Sequence, residues 1–381
     1  MNFRSYEIKD ICKIKSGKRL PKGTDFSEKP TKHKYIRARD IKNGKIDGSD
    51  LGYISEETQK KIERYIVNTN DIIITIAGTI GEVALVSKKF DGVNLTENAV
   101  RLTEFSKDVC PDFLAYILKS PERKEYMEQV AGGSAQPKLG IYKIEAIKVD
   151  LPDVQIQHKI ADILSAYDNL IENNQKQIKL LEEAAQRLYK EWFVDLRFPG
   201  YENTKIVDGV PEGWSRGLLK ELISVNYGKD HKKAPDDGNI PVYGSGGLMR
   251  KCNKSLFSGE AVLIPRKGSL NNIMYVDETF WTVDTMFYAT MKQPHTAVFV
   301  YFFVRAFDMY SMNIGAAVPS MTTKILDAMD VVIPDRETLE KFDKRAKTYF
   351  NKIKMLQGQN ERLKIARDLL LPKLMSGEAE V

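Results

Sequence analysis

The sequence predicts an α+β protein made twice from the same parts: two similar globular units with twisted sheets, joined by two long helices that form an antiparallel coiled coil about a pseudo-twofold axis. Three observations predict it. The phrase "IEAIKVDLPD" at 144–153 returns as "LDAMDVVIPD" at 326–335; each copy is followed by a long stretch with helical apolar spacing; and short apolar runs bounded by Gly, Asp and Asn fill the segments before them.

A chain of 381 residues, 42% hydrophobic and 29% charged, is long enough for two cores. Without a ~20-residue apolar run or a signal-type N-terminus, the expectation is a cytoplasmic protein with no membrane partner. Cys12, Cys110 and Cys252 lie far apart and the four histidines are scattered, so neither a disulfide framework nor a metal site is expected.

The repeat runs through the whole chain. "FRSYEIKDICKIKSG" (3–17) matches "WSRGLLKELISVNYG" (214–228) at an offset of 211, "IIITIAGTIGEVALV" (72–86) matches "VLIPRKGSLNNIMYV" (262–276) at 190, and the phrase after Pro137 and Pro319 matches at 182. A falling offset means shorter loops in the second copy between the same elements. Runs such as "DIIITIAG" and "EAVLIPRKG" read as strands, whereas "PDFLAYILKSPERKEYMEQV" and "AVFVYFFVRAFDMYSMNI" read as helical. The expected layout is a globular unit at 1–150, a helix at 151–198, a second unit at 199–333 and a C-terminal helix at 334–381.

In the first helix, Ile160, Leu164, Tyr167, Ile171, Asn174, Ile178, Leu181, Ala185, Leu188 and Trp192 recur every three or four positions. The second repeats this with Phe342, Ala346, Tyr349, Ile353, Leu356, Asn360, Leu363, Arg367 and Leu370. Such a narrow stripe is a coiled-coil seam. Setting Asn174 opposite Asn360 in antiparallel order makes the facing layers apolar, from Ile160/Leu374 to Trp192/Phe342, except for the asparagine pair and Tyr167/Arg367. Two facing asparagines can bond each other and fix the register. Arg367 is expected to stack on the Tyr167 ring or to snorkel. Thirty-eight helical residues make a rod of about 57 Å, which suits a ligand with two separated sites. Duplex DNA qualifies, because its major groove recurs on one face every ~34–36 Å.

Charge supports the same partner. The net charge is +6, yet residues 1–42 alone hold thirteen Lys/Arg against five Asp/Glu. Candidate DNA contacts are Lys15, Lys18, Arg19, Lys22, Lys32, Lys34, Arg37 and Arg39 in the first copy, with Gln136. In the second they are Lys229, His231, Lys232, Lys233, Arg250, Lys251, Arg266 and Lys267, with Asn271 and Asn272. Most would touch phosphates. Base reading needs forked groups, which singles out Arg37, Arg39, Gln136, Arg266, Asn271 and Asn272. Catalysis is not expected: the chain carries no phosphate-loop motif, Rossmann glycine fingerprint, metal-spaced His/Cys cluster or N-P-P-[YF] signature, and "AGTIG" and "YGSGG" read as turns.

Taken in order, "YIRARDI" (35–41), "DIIITIAGTIG" (71–81), "LPDVQIQHKIADIL" (151–164), "EWFVDLRFPGYE" (191–202), "VPEGW" (210–214), "GNIPVYGSGG" (238–247), "VLIPRKGSLNNIMYVDETFWTVDTMFY" (262–288) and "LLPKLMSGE" (370–378) closely resemble the specificity subunits of type I restriction-modification systems. The resemblance implies two target recognition domains joined by two antiparallel helices, each domain reading half of a bipartite DNA site. It implies a non-catalytic scaffold for two methyltransferase subunits and for the restriction subunits. S-adenosylmethionine, ATP and Mg would then belong to those partners, and this chain would bind no cofactor. One departure stands out: the second helix lacks the glutamine that Gln157 provides in the first. Three other readings stay open at this point: the recognition subunit of an enzyme with fused modification and cleavage, a two-domain hydrolase, and a protein-binding coiled-coil adaptor.

Overall fold

Residues 2–132, 137–312 and 320–379 are described by the structure, a computed structural model. The chain divides into two units. Unit 1 comprises residues 1–171 and 362–381, and unit 2 comprises residues 172–361.

In unit 1 the strand Arg4–Glu7 pairs antiparallel with Lys148–Leu151, Arg4 opposite Leu151. A four-stranded sheet follows in the order Lys13–Ser16, Ala99–Thr103, Ile72–Thr75, Val83–Leu85. Ile72, Ile73 and Ile74 are all fully buried because the sheet is covered on both faces: Ile72 and Ile74 enter one core with Phe113 and Leu114, while Ile73 enters another with Ile36 and Leu95. A strand buried on both sides reads as a continuous apolar run, which explains "DIIIT". The stretch expected as one helical region forms two helices, Pro111–Lys119 and Pro121–Ala131. Pro121 cannot continue the first helix, and Ser120 leaves helical geometry to cap the second, accepting from Arg123 N at 3.3 Å.

Unit 2 repeats this frame. Ser215–Leu218 pairs with Asp330–Ile333, Ser215 opposite Ile333, at the same offsets of 211 and 182. Its sheet runs Ile223–Tyr227, Met286–Met291, Phe257–Pro265, Met274–Thr282, then Ile240–Gly244 and Gly247–Cys252. Val262 and Ile264 face one core and Ala261 and Leu263 the other. Of the second helical expectation, Ala297–Arg305 alone is helical among the described residues; the chain turns away at Asp308, whose carboxylate and carbonyl bind the following backbone and Ser311.

The copies agree bond for bond. Ile8 N donates to Ile147 O (3.1 Å) and Leu219 N to Met329 O (2.8 Å); Leu139 N donates to Ile76 O and Met321 N to Arg266 O, both at 2.9 Å. Gly17 and Gly228 occupy the same crowded place, where a Cβ would stand 2.0 Å from Thr96 O or 1.9 Å from Val283 O. Structure also supplies two registers that side chains do not reveal. Thr96 N to Ile36 O and Val283 N to Tyr243 O are both 3.0 Å, giving offsets of 187 and 207, which fill the series 211, 207, 190, 187, 182.

The helices Val154–Tyr189 and Arg336–Ser376 each contribute to both units; a π-helical turn, Lys190–Val194, extends the first. Within unit 1, Ile160 and Leu164 share a core with Leu370 and Leu374, and Asp168 binds Arg367. Within unit 2, Asn174 Nδ2 donates to Asn360 Oδ1 at 2.9 Å, and Trp192 meets Phe342 with ring centroids 5.9 Å apart. In each unit residue numbers rise along one helix as they fall along the other, so the packing is antiparallel with the expected asparagine register. Ile171, Leu188, Ile353 and Leu356 are buried, and Tyr167, Ile178, Leu181, Tyr349 and Leu363 half-buried. One expectation is corrected: Arg367 does not stack on Tyr167. It binds the carboxylates of Asp168 and Asp368, and Asp168 also accepts from Tyr116 OH at 2.7 Å. A carboxylate pairs with both guanidinium and phenol more strongly than a ring face does.

Candidate nucleic-acid interface

In each unit the equivalent loops converge by backbone bonding. Unit 1 brings together residues 17–22, 36–40, 76–81 and 96–98: Lys18 N donates to Leu95 O (2.8 Å), Ile76 N to Asn98 O (2.8 Å), and Ala77 bridges Lys138. Unit 2 brings together 228–234, 243–250, 266–272 and 283–285: Lys229 N donates to Thr282 O (2.9 Å), Arg266 N to Thr285 O (2.8 Å), and Lys267 bridges Ser320. The turns between these strands therefore form one loop surface per unit. Gly78 and Gly268 take positive φ, +80° and +84°, at matched turns.

The two surfaces differ in charge. The basic run at the N-terminus is largely neutralised by carboxylates from elsewhere in unit 1. Lys15 binds Glu104, which also holds Lys13; Arg19 Nε donates to Glu97 at 2.6 Å; Lys32 lies 3.0 Å from Glu56. These acids stay ionised. Lys13 and Lys15 hold the Glu104 carboxyl down to about 2, and His33 and Lys32 do the same for Glu56. Among the described residues Lys18, Lys22 and Lys34 have no carboxylate partner; Lys22 is exposed, Lys34 is half-buried, and the Lys18 ammonium sits over the Tyr65 ring at 5.7 Å. In unit 2, Lys229, Lys232, Lys233, Lys251 and Lys267 are exposed and, among the described residues, unpaired.

The forked groups are mostly engaged in bonds within the loops, which redirects the base-reading expectation. Arg37 is 18% exposed in its side chain and closes on Asp40 with two 2.9 Å bonds from Nε and Nη2, and Nη2 also donates to the Asp50 carbonyl. Arg266 donates to Asp284 O and lies over the Tyr227 ring at 5.5 Å. Arg250 binds Asp236 and the carbonyls of His231 and Ala234, tying half-buried His231 into the loop. Asn271 links Asp308 (2.9 Å) to Met309 N (2.8 Å), and Asn272 donates to Ser245 O (2.9 Å). Each of these makes the loop surface rigid. Arg39 remains outward, 67% exposed with a 3.4 Å contact to Asp50. Gln136 lies outside the described residues.

Sequence reasoning passed over the apolar members of this surface. Leu248 and Met249, beside the hairpin turn of unit 2, are 60% and 53% exposed, and Tyr227 and Tyr310 are also exposed. A search for charged and forked residues has no reason to stop at "GGLM"; the signal available was two large apolar residues directly after a glycine turn. No group of three or more His, Cys, Asp or Glu suited to a metal occurs among the described residues, and no described helix is long and apolar enough to cross a membrane.

One frame thus occurs twice, with a different loop surface on each copy. The sequence of the type I restriction modification DNA specificity domain, as a family, matches residues 2–183 and 211–364. The MjaIX specificity subunit of a Methanocaldococcus jannaschii type I restriction enzyme is 26% identical over 373 residues, covering 86% of this chain and 82% of its own. The HindI specificity subunit of Haemophilus influenzae is 22% identical with 99% of each chain covered. In fold, the crystal structure of the type I restriction-modification S subunit from M. genitalium covers 98% of this chain and 96% of its own, with a TM-score of 0.65 at 18% identity. The chain belongs to the family of type I restriction-modification specificity subunits, which are non-catalytic components of those systems.

Proposed function

We propose that this chain recognises a bipartite site on duplex DNA, one half through the loop surface of each unit, while its helices scaffold two methyltransferase subunits and the restriction subunits. The observation that carries this reading is the bond-for-bond repetition of one frame beneath two chemically different loop surfaces. Two unlike half-sites call for two unlike readers, and one conserved geometry lets both meet the same backbone. Lys18 and Lys22 in unit 1 and Lys229, Lys232, Lys233, Lys251 and Lys267 in unit 2 contact phosphates, which gives salt-dependent affinity and no sequence information. Arg39 is the forked group placed for a base edge in unit 1. S-adenosylmethionine, ATP and Mg2+ serve the partner subunits, so the isolated chain turns over nothing. The test is to purify the chain with its methyltransferase and map methylated adenines across the genome. Two short specified blocks around an unspecified spacer are expected; one continuous motif would overturn the reading.

A further inference from the structure

We infer that the hairpin Ile240–Cys252 is the major-groove reader of unit 2, and that Leu248, backed by Met249, recognises a thymine through its 5-methyl group. This rests on the DNA-binding reading above and adds a residue, a base and a contact to it.

Bases are told apart in the major groove by hydrogen-bonding edges and by the thymine methyl. On this loop surface the groups able to grip an edge in a forked manner are occupied: Arg250 by Asp236 and two carbonyls, Arg266 by Asp284 O, Asn271 by Asp308 and Met309 N, Asn272 by Ser245 O. Each of these bonds ties one loop segment to another, so turning the group out to a base would undo the tie that shapes the surface. Besides lysines suited to phosphates, the hairpin offers Leu248 and Met249 outward, and an apolar side chain can distinguish a base in the groove only by its methyl.

The hairpin is shaped for that task. Gly244 pairs with Gly247 and Tyr243 with Leu248, leaving Ser245 and Gly246 as a two-residue turn, with Gly247 at φ +111°. Val242 and Tyr243 still pair with Trp281 and Thr282, so the hairpin is two-stranded only at its tip, beyond Tyr243, and a two-stranded tip is narrow enough for the ~12 Å major groove. The tip is also held: Ser245 O accepts from Asn272, and Tyr243 O from Val283 N at 3.0 Å. Gly244 makes a seat for Met249, since a Cβ there would lie 2.5 Å from the methionine sulfur. Leu248 is thus presented at 60% exposure by a supported ribbon rather than by a loose loop. Alongside, Arg250 ties the ribbon to residues 231–234, which carry the exposed, unpaired Lys232 and Lys233; their charge fits the phosphates on the rim of the groove.

The experiment uses the complex with its methyltransferase and synthetic duplexes bearing the methylated motif, with each thymine replaced in turn by deoxyuridine. In the half-site read by unit 2, removing one particular methyl should weaken wild-type binding about fourfold, the value of one buried methyl. The same replacement should leave Leu248→Ala unaffected, and the two proteins should bind the uracil duplex equally, which also shows that the variant is folded. If no methyl deletion weakens the wild type, or if Leu248→Ala keeps the full penalty, the inference is overturned while binding to the bipartite motif leaves the functional reading standing. A complex that methylates no bipartite motif would overturn both.

Discussion

Units 1 and 2 solve the same structural problem with different side chains. In unit 1 the central strands are linked by a buried ion pair, Arg101 Nη1 to Asp71 Oδ2 at 2.6 Å. At the matching positions unit 2 has Tyr288 and Ala261, with the Tyr288 ring 5.8 Å from Phe280 and 6.0 Å from Phe257. Gln157 of unit 1 is fully buried at the start of the central helix; it accepts from Cys110 N (2.9 Å) and donates to Asp108 O (2.9 Å) and Pro152 O (2.8 Å). Its counterpart Leu339 lies in the apolar core with Phe342. The frame is kept by backbone hydrogen bonds and apolar layers, and its polar side chains are interchangeable with apolar ones provided all partners change together. Gln157 is accordingly an internal brace, and its absence from the second helix is a difference in core chemistry.

That comparison can be tested by exchanging the two solutions. Asp71→Ala alone strands Arg101 inside the sheet and should cost unit 1 about 3–5 kcal/mol. Adding Arg101→Tyr installs the chemistry of unit 2 and should return most of the loss. Urea denaturation, with amide exchange read at Ile72–Thr75, measures both; equal damage from the single and double changes would mean that the two frames are not interchangeable here. Next in size, Gln157→Leu copies Leu339 but leaves Cys110 N–H and two carbonyls without their partner. About 2–3 kcal/mol of destabilisation is expected, concentrated in helix Pro111–Lys119. The smallest effect belongs to a feature made of one residue from each copy: Asn174→Leu should cost ~1–2 kcal/mol by leaving Asn360 unpaired, and Asn360→Leu added to it should restore the melting temperature. A double variant as damaged as the single one would show that the asparagines matter separately.

How far the sequence reached depended on where each partner lies. The echo of "IEAIKVDLPD" in "LDAMDVVIPD" was visible because apolar alternation and the Pro-Asp turn survive substitution. Asn174 and Asn360 were paired from sequence because helix periodicity projects every residue of a seam onto one line. The matched registers at 36/243 and 96/283 left no trace in side chains, since they are backbone bonds between short strands. Stacking on Tyr167 and snorkelling are both open to Arg367 in sequence; Asp168 adjoins Tyr167 along the chain, and only packing decides that the carboxylate meets the guanidinium.

By itself, then, the sequence determined the duplication, the two long helices and the register between them, all properties carried by local periodicity and short-range turn chemistry. Tertiary structure decided which charges and which side chains are left for a ligand. Lys15 meets Glu104 across 89 residues and Arg19 meets Glu97 across 78, so a run that is strongly basic along the chain is much less so in space. Folding likewise engaged four forked side chains of unit 2 in bonds to their own loops and left Leu248 outside without such a bond. Ion pairing and exposure depend on what the fold brings within a few ångströms, and that distance is not written along the chain.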